Sequence, residues 1–151
     1  MSRDYRVDLL REFKENMRFI PGFRDFFDAC KSDFLNILVT STSREVMEWT
    51  FDNVPVDNIF SDMITSNEVK HTKPHPEPYL LAAERIGIPM ERCVVIEDSL
   101  NGIRAGKAAG AKVIGIATTF GADMLGEADL IVSSYGELSP EALKHLVNGK
   151  A

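Results

Sequence analysis

Residues 93–110 read CVVIEDSLNGIRAGKAAG, and this stretch joins a predicted strand to a helix rich in small residues. The β-branched run 93–97 predicts a buried strand, because short apolar runs bounded by turn residues pack inside parallel sheets. Two carboxylates, Glu97 and Asp98, stand where this strand ends. Adjacent like charges are costly unless a cation neutralises them, and Mg²⁺ is commonly held by one or two carboxylates plus a phosphate. The pair therefore predicts either a magnesium site or a strand-ending turn with solvated acids.

The helix after these acids is predicted to lie close to a sheet. Gly102, Gly106 and Gly110 recur every fourth residue, so they share one helix face that has almost no side chains. Strands and helices alternate along the rest of the chain. The predicted strands are 34–39, 60–65, 93–97, 112–117 and 128–132, and the other predicted helices are 3–19, 23–31, 44–52, 77–87 and 140–147. This alternation predicts an α/β fold with a doubly wound parallel sheet, in which right-handed crossovers bring the strand carboxyl ends to one edge.

The composition is that of a globular domain. The chain has 151 residues, 44% hydrophobic and 26% charged, which is enough for one core. Its 17 basic and 23 acidic residues give a net charge of −6, which argues against nucleic-acid and membrane partners. The sequence contains no run of 18 apolar residues, so no transmembrane helix is predicted. Cys30 and Cys93 are isolated and are predicted to be buried thiols, which fits a reducing, cytoplasmic compartment.

Three chemically distinct groups fall on the predicted sheet edge. Ser41 and Thr42 follow the strand 34–39 in a run of hydroxyl residues, and hydroxyl and N–H groups before a helix can bind an anion. Lys73 lies in the Pro-rich segment 70–79, KHTKPHPEPY, and supplies a compact positive charge for phosphate oxygens. The two acids after the third strand can hold a divalent cation against the same phosphate. Hydroxyl runs often only cap helices and such lysines are often solvated, but their combination predicts a metal-assisted phosphate site.

Two histidines flank the lysine. His71 and His75 are four residues apart, but Pro74 and Pro76 exclude a helix here, so this spacing does not put them on one face. They are interpreted as solvated loop residues rather than ligands. His145 lies in the last predicted helix, and none of the three has a partner in the sequence that indicates zinc.

The order of these groups resembles the haloacid dehalogenase superfamily of phosphohydrolases, in its β-phosphoglucomutase and phosphoglycolate phosphatase-like branch. By this resemblance, Ser41 is the phosphate-binding hydroxyl and Lys73 steadies the transferring phosphoryl group. Asp98 is then the direct Mg²⁺ ligand, and Glu97 often acts through water. The resemblance implies an Mg²⁺-dependent phosphatase or phosphomutase of small phosphorylated metabolites.

The resemblance also predicts the domain organisation. It covers about residues 17–135 and implies a Rossmann-like α/β core over 21–151. Residues 1–20 are interpreted as the remnant of a helical cap, and the apolar face of the helix 3–19 makes self-association plausible.

The nucleophile is where the sequence departs from the family pattern. Members begin with a strand that carries an Asp-x-Asp pair, whose first aspartate attacks phosphorus. No two aspartates of this chain are two positions apart, and no apolar strand precedes Phe34. By the family topology, the absent strand belongs between the strand ending at Ser41 and the strand ending at Asp98. The core is therefore predicted to be incomplete, and this chain alone is predicted to have very low phosphatase activity.

The incomplete sheet leaves three structural outcomes open: a marginal fragment, a closed-up sheet, or a sheet completed by another chain. A different functional class also stays open, namely a non-catalytic α/β domain that binds phosphate and Mg²⁺ or serves as a scaffold. A receiver domain is disfavoured because its lysine follows its acids, whereas Lys73 precedes them.

Overall fold

The computed structural model describes residues 20–53, 59–118 and 121–149. The predicted helix 3–19 and nearly all of the predicted cap remnant lie outside the described residues. The helices are α1 (Phe23–Cys30), α2 (Arg44–Asn53), α3 (Glu77–Ile86), α4 (Leu100–Ala109) and α5 (Pro140–Asn148). The strands are β1 (Ile37–Val39), β2 (Asp62–Ile64), β3 (Val94–Glu97), β4 (Lys112–Ile116) and β5 (Leu130–Val132). Short 3₁₀ helices occupy Ser66–Glu68, Met90–Arg92, Ala122–Leu125 and Tyr135–Glu137.

All strand pairs in the described part of the chain are parallel, as predicted, but they form two sheets. Strand β1 pairs with β2, and β4 lies between β3 and β5. Within residues 20–53, 59–118 and 121–149, β1 and β3 form no ladder with each other. The break falls where the absent strand was predicted, so the structure does not adopt the closed-up sheet.

Several strands are shorter than predicted because the first residues of the predicted strands belong to neighbouring turns. The N–H of Phe34 donates to Cys30 O at 2.9 Å, so this residue still belongs to the turn that ends α1. The N–H of Ala128 donates to Leu125 O at 3.0 Å, which delays the start of β5. These turns also contain apolar residues, and the sequence pattern therefore overestimates the length of the strands.

Helices cover both faces of the three-stranded sheet. Along β4, Val113 packs into a cluster that includes Ile103 of α4. The next residue, Ile114, packs into a second cluster that includes Phe26 of α1 and Leu143 of α5. Since successive strand side chains point to opposite faces, this alternation confirms the doubly wound arrangement.

Helix α4 packs closely against the sheet, as its glycines predict. A Cβ atom at Gly106 would lie 2.9 Å from Cγ2 of Val113 and 3.2 Å from Cγ1 of Val95, closer than ordinary contact. Gly110 differs from the prediction because it ends the helix with a φ of 94°, a conformation that favours glycine. Ser99 begins the helix, accepting a hydrogen bond from the N–H of Gly102.

Both cysteines are free thiols, but only one is fully buried. Cys30 is buried, as predicted, whereas Cys93 is partly exposed. The N–H of Cys93 donates to Met90 O at 2.9 Å, so this residue ends a turn and precedes β3 instead of lying inside the strand. Among the described helices, none has the length and apolar character needed to span a membrane.

Candidate active site

A cleft of about 660 Å³ opens where the sheet is broken, between the carboxyl ends of β1 and β3. Ser41, Lys73, Glu97 and Asp98 all line this cleft. The fold therefore brings together predicted site residues from three separate parts of the sequence. The full lining consists of Ile20, Leu38, Val39, Thr40, Ser41, Lys73, Ile96, Glu97, Asp98, Ser99, Leu100, Asn101, Ile116, Met124 and Tyr135.

The hydroxyl run after β1 turns at the mouth of the cleft. Thr40 and Ser41 line the cleft, and Ser41 is exposed to solvent. Thr42 is not among the lining residues: its N–H donates to the Thr40 hydroxyl at 3.1 Å, and its carbonyl accepts from the N–H of Ser66 at 3.1 Å. Thr42 supports the turn through these contacts, and its role in phosphate binding stays a prediction.

Lys73 reaches across the break in the sheet. Its Nζ donates to the carbonyl oxygen of Val39 at 3.0 Å and forms an ion pair with Glu97. Both charged side chains are largely withdrawn from solvent, with 12% of Lys73 and 9% of Glu97 exposed. The ammonium therefore connects the end of β1 to the end of β3, across a gap that no strand of the described residues fills.

Every oxygen of the Glu97 carboxylate has a protein partner. Oε1 accepts from Lys73 and from the hydroxyl of Tyr79, and Oε2 accepts from the Ser99 hydroxyl at 3.2 Å. Burial, followed by the charge of Glu97, raises the pKa of Tyr79 well above its usual range, so this hydroxyl stays a donor. A carboxylate engaged in this way can orient Lys73, and contact of Glu97 with a cation through water stays a prediction.

Asp98 is the second acid of the cleft wall. It directly follows β3, is partly exposed, and lines the cleft together with Ser41. A single carboxylate plus waters and phosphate oxygens is a donor set that Mg²⁺ accepts. The residues present thus fit a magnesium ion with Asp98 as its protein ligand.

Tyr135 forms another wall of the cleft. Its ring packs edge-on against Phe23 with centroids 5.3 Å apart. Burial, and then the charges of Asp98 and Glu97, raise the pKa of Tyr135 to about 12. The side chain therefore stays neutral beside the two acids and adds an aromatic surface to the cleft.

Three contributors to this site were not predicted from the sequence. Ser99 has a recognisable signal, since a serine before a helix commonly serves as its N-cap. Tyr79 and Tyr135 have no such signal, because in the sequence both look like ordinary core residues. Only the folded chain places their side chains at the two acids.

A family model described as haloacid dehalogenase-like hydrolase matches residues 2–110. The chain belongs to this family. The matched range includes β1, the Pro-rich segment and β3, and therefore every residue predicted to form the site.

Two relatives within the family are phosphatases by name. Glycerol-1-phosphate phosphohydrolase 1 of Saccharomyces cerevisiae is 42% identical over 107 residues, 65% of this chain and 42% of the relative. Phosphoglycolate phosphatase of Salmonella choleraesuis is 33% identical over 133 residues, 84% of this chain and 52% of the relative. The chain thus spans about half the length of the curated relatives it matches.

Solved structures confirm the fold predicted from the sequence. CbbY from Rhodobacter sphaeroides, crystallised in complex with phosphate, has a TM-score of 0.73 and 30% identity, over 84% of this chain and 60% of its own. The β-phosphoglucomutase from Clostridium difficile has a TM-score of 0.79 over 97% of this chain and 63% of its own. At 24% identity, this second likeness concerns the fold alone.

Proposed function

We propose that this chain supplies the phosphate- and Mg²⁺-binding part of a phosphohydrolase that acts on small phosphorylated metabolites. The observation that carries the proposal is the single cleft lined by Ser41, Lys73 and Asp98. In the proposed site, Ser41 donates to a phosphate oxygen and Lys73 neutralises the phosphoryl charge. Asp98 holds Mg²⁺ together with waters and the phosphate, while Glu97 keeps Lys73 in place.

The names of the relatives support the substrate class. Glycerol-1-phosphate phosphohydrolase 1 and phosphoglycolate phosphatase each carry a small phosphorylated metabolite in their names. The phosphate bound by CbbY supports the same chemistry. The proposed cofactor is Mg²⁺, and cytoplasmic localisation and self-association stay predictions.

Hydrolysis through a covalent phosphoryl-enzyme intermediate requires a nucleophile that attacks phosphorus. The 151 residues contain no Asp-x-Asp pair that could supply it. A carboxylate that attacks phosphorus must lie near the bound phosphate, and the break between β1 and β3 leads into the cleft. An additional parallel strand in this break would end between Ser41, Lys73 and Asp98. We therefore propose that turnover requires such a strand from another segment or chain, and that these residues alone bind phosphate with little turnover.

The test is a p-nitrophenyl phosphatase assay of the purified chain with Mg²⁺, alone and with a peptide that carries a strand with an Asp-x-Asp pair. We expect negligible turnover alone and measurable turnover with the peptide. Asp98→Asn should abolish the gain, whereas Asp123→Asn, which changes an exposed acid outside the cleft lining, should retain it. Ordinary turnover by the chain alone, lost in Asp98→Asn, would contradict the need for a further strand.

A second candidate function is a non-catalytic domain that binds phosphate and Mg²⁺. The lack of an Asp-x-Asp pair favours it. Phosphate binding that requires Mg²⁺, followed by ³¹P NMR, with no turnover on addition of the strand peptide, would support this second function. Absence of any Mg²⁺-dependent phosphate binding would exclude both functions.

A further inference from the structure

The Pro-rich segment brings two histidines and a glutamate together at the surface. The rings of His71 and His75 stack with their centroids 4.5 Å apart and an angle of 25° between planes. The sequence spacing argues against a shared face, but a turn closed by the His75 N–H and the Thr72 carbonyl, 3.0 Å apart, folds the segment back. One potential ligand atom from each of His71, His75 and Glu77 lies within 4.8 Å of the other two.

We propose that His71, His75 and Glu77 form a binding site for a divalent transition-metal ion of the Zn²⁺ type, distinct from the Mg²⁺ site proposed at Asp98. Two imidazoles and one carboxylate are a known zinc donor set, with waters in the remaining positions. Imidazole nitrogen suits Zn²⁺, Ni²⁺ and Cu²⁺, whereas Mg²⁺ prefers oxygen ligands. The two sites therefore select different metals.

The hydrogen bonds of the segment hold these side chains together without an ion. Oε1 of Glu77 accepts from the N–H of Lys70 at 2.7 Å. Oε2 accepts from the N–H of His71 at 3.0 Å and lies 2.8 Å from Nδ1 of the same residue. The N–H of Glu77 donates to Nδ1 of His75 at 3.1 Å. Because these hydrogen bonds already order the three side chains, binding of an ion to them costs less conformational entropy.

An entering ion would replace only two of these contacts, namely that between His71 Nδ1 and Glu77 Oε2 and that between the Glu77 N–H and His75 Nδ1. Zinc–ligand bonds of about 2.0–2.2 Å place ligand atoms roughly 3.4 Å apart. The 2.8 Å contact between His71 Nδ1 and Glu77 Oε2 must therefore open slightly, and any wider separation within the 4.8 Å cluster must close, which side-chain rotations can achieve. Both histidines are exposed and Glu77 is partly exposed, which leaves a path for the ion and room for coordinated water.

The site lies on the segment that carries Lys73. The Nζ of Lys73 contacts Val39 and Glu97, so this cation does not occupy the space among the three ligands. A bound ion would restrain the backbone on both sides of Lys73. Occupancy of the site should therefore raise the thermal stability of the chain.

The test is a Zn²⁺ titration of the full chain against a chromophoric chelator, with Mg²⁺ in excess to fill the other site. We expect one Zn²⁺ per chain. His71→Ala and His75→Ala should each weaken binding by at least about tenfold, the loss that even an outer partner of a metal site causes. His145→Ala is the matched control, because it removes the exposed histidine of α5 and should leave the affinity unchanged.

Two further measurements test whether Zn²⁺ binds at these three residues and not at a thiol or at Asp98. Cys93→Ser should retain the affinity, because the thiol is not a ligand, and Asp98→Asn should retain it because the sites are distinct. Zn²⁺ should raise the unfolding temperature of the unmodified chain and of His145→Ala but not of the doubly substituted His71→Ala/His75→Ala chain. Equal binding by His71→Ala, or lack of stoichiometric binding by the unmodified chain, would overturn the proposal. Because no readout involves phosphate, failure here leaves the proposed phosphohydrolase function untouched.

Discussion

Gly102 lies directly against the carboxylate of Glu97. A Cβ atom at this position would overlap the carboxylate carbon and both of its oxygens. The Gly102 N–H donates to the Ser99 hydroxyl at 3.1 Å, and this hydroxyl in turn donates to Glu97. Glu97 pairs with Lys73. Because glycine at position 102 leaves room for the Glu97 carboxylate, it allows the ion pair to take its place in the cleft.

Gly102→Ala should displace Glu97 and lower the free energy of unfolding by about 1–3 kcal/mol, the usual cost of overpacking a closely packed position. Urea unfolding measures this loss. Gly126→Ala is the matched control, because its new Cβ would meet only the carbonyl of Asp123 at 3.8 Å, an ordinary contact, at a φ of −59°. Equal stability of the two variants would show that the carboxylate moves aside at no cost.

Lys73→Met should destabilise the chain by about 3–5 kcal/mol, because it leaves the charge of Glu97 buried without its partner. Denaturant unfolding at pH 7 provides the measurement. The double variant Lys73→Met/Glu97→Gln removes both charges and should recover part of this loss. A double variant that is as unstable as the sum of the two single variants would contradict a direct coupling between these side chains.

Tyr79→Phe should cost about 1–2 kcal/mol, because Glu97 loses a buried hydrogen-bond donor. Thermal and urea unfolding both report this change. Tyr135→Phe serves as the comparison, since it removes a hydroxyl at the same cleft while leaving the bond between Tyr79 and Glu97 in place. A larger loss in Tyr135→Phe than in Tyr79→Phe would refute the assignment of the stabilising contact to Tyr79.

A carboxylate outside the cleft makes stability depend on pH. Oε1 of Glu68 accepts from Arg44 at 2.7 Å and Arg85 at 2.8 Å, and Oε2 accepts from the N–H and hydroxyl of Thr65, each at 2.7 Å. Desolvation acts to raise the pKa of Glu68, but the bonds from Thr65, Arg85 and Arg44 outweigh it and lower the pKa from 4.5 to about 2.

A carboxyl group whose pKa is lower in the folded than in the unfolded state stabilises the folded state at pH values above its unfolded-state pKa. This contribution is lost as the pH falls toward its folded-state pKa. The contribution of Glu68 should therefore be present at pH 7 and disappear between pH 4.5 and about 2. Glu68→Gln should cost about 2 kcal/mol at pH 7, once solvent screening of the partly exposed arginines is included. Urea unfolding as a function of pH should show a smaller acid-dependent loss in Glu68→Gln than in the exposed control Glu84→Gln; identical profiles would contradict the role of Glu68.

The local features of this protein were readable from the sequence. The end of β3 at Glu97, the start of α3 at Glu77 and the start of α5 at Pro140 all follow predictions, because burial patterns and helix-start signals depend on residues a few positions apart. The order of Ser41, Lys73 and the two acids along the chain also indicated the family.

Only the tertiary structure decided how these elements meet. The ion pair of Lys73 and Glu97 joins residues 24 positions apart across a break in the sheet, and a turn in a Pro-rich segment stacks His71 on His75. No periodicity encodes either contact, because each depends on how the chain folds back and on which strands find a partner. Sequence patterns report which residues prefer burial or a turn, whereas the distances that define a binding site arise from packing.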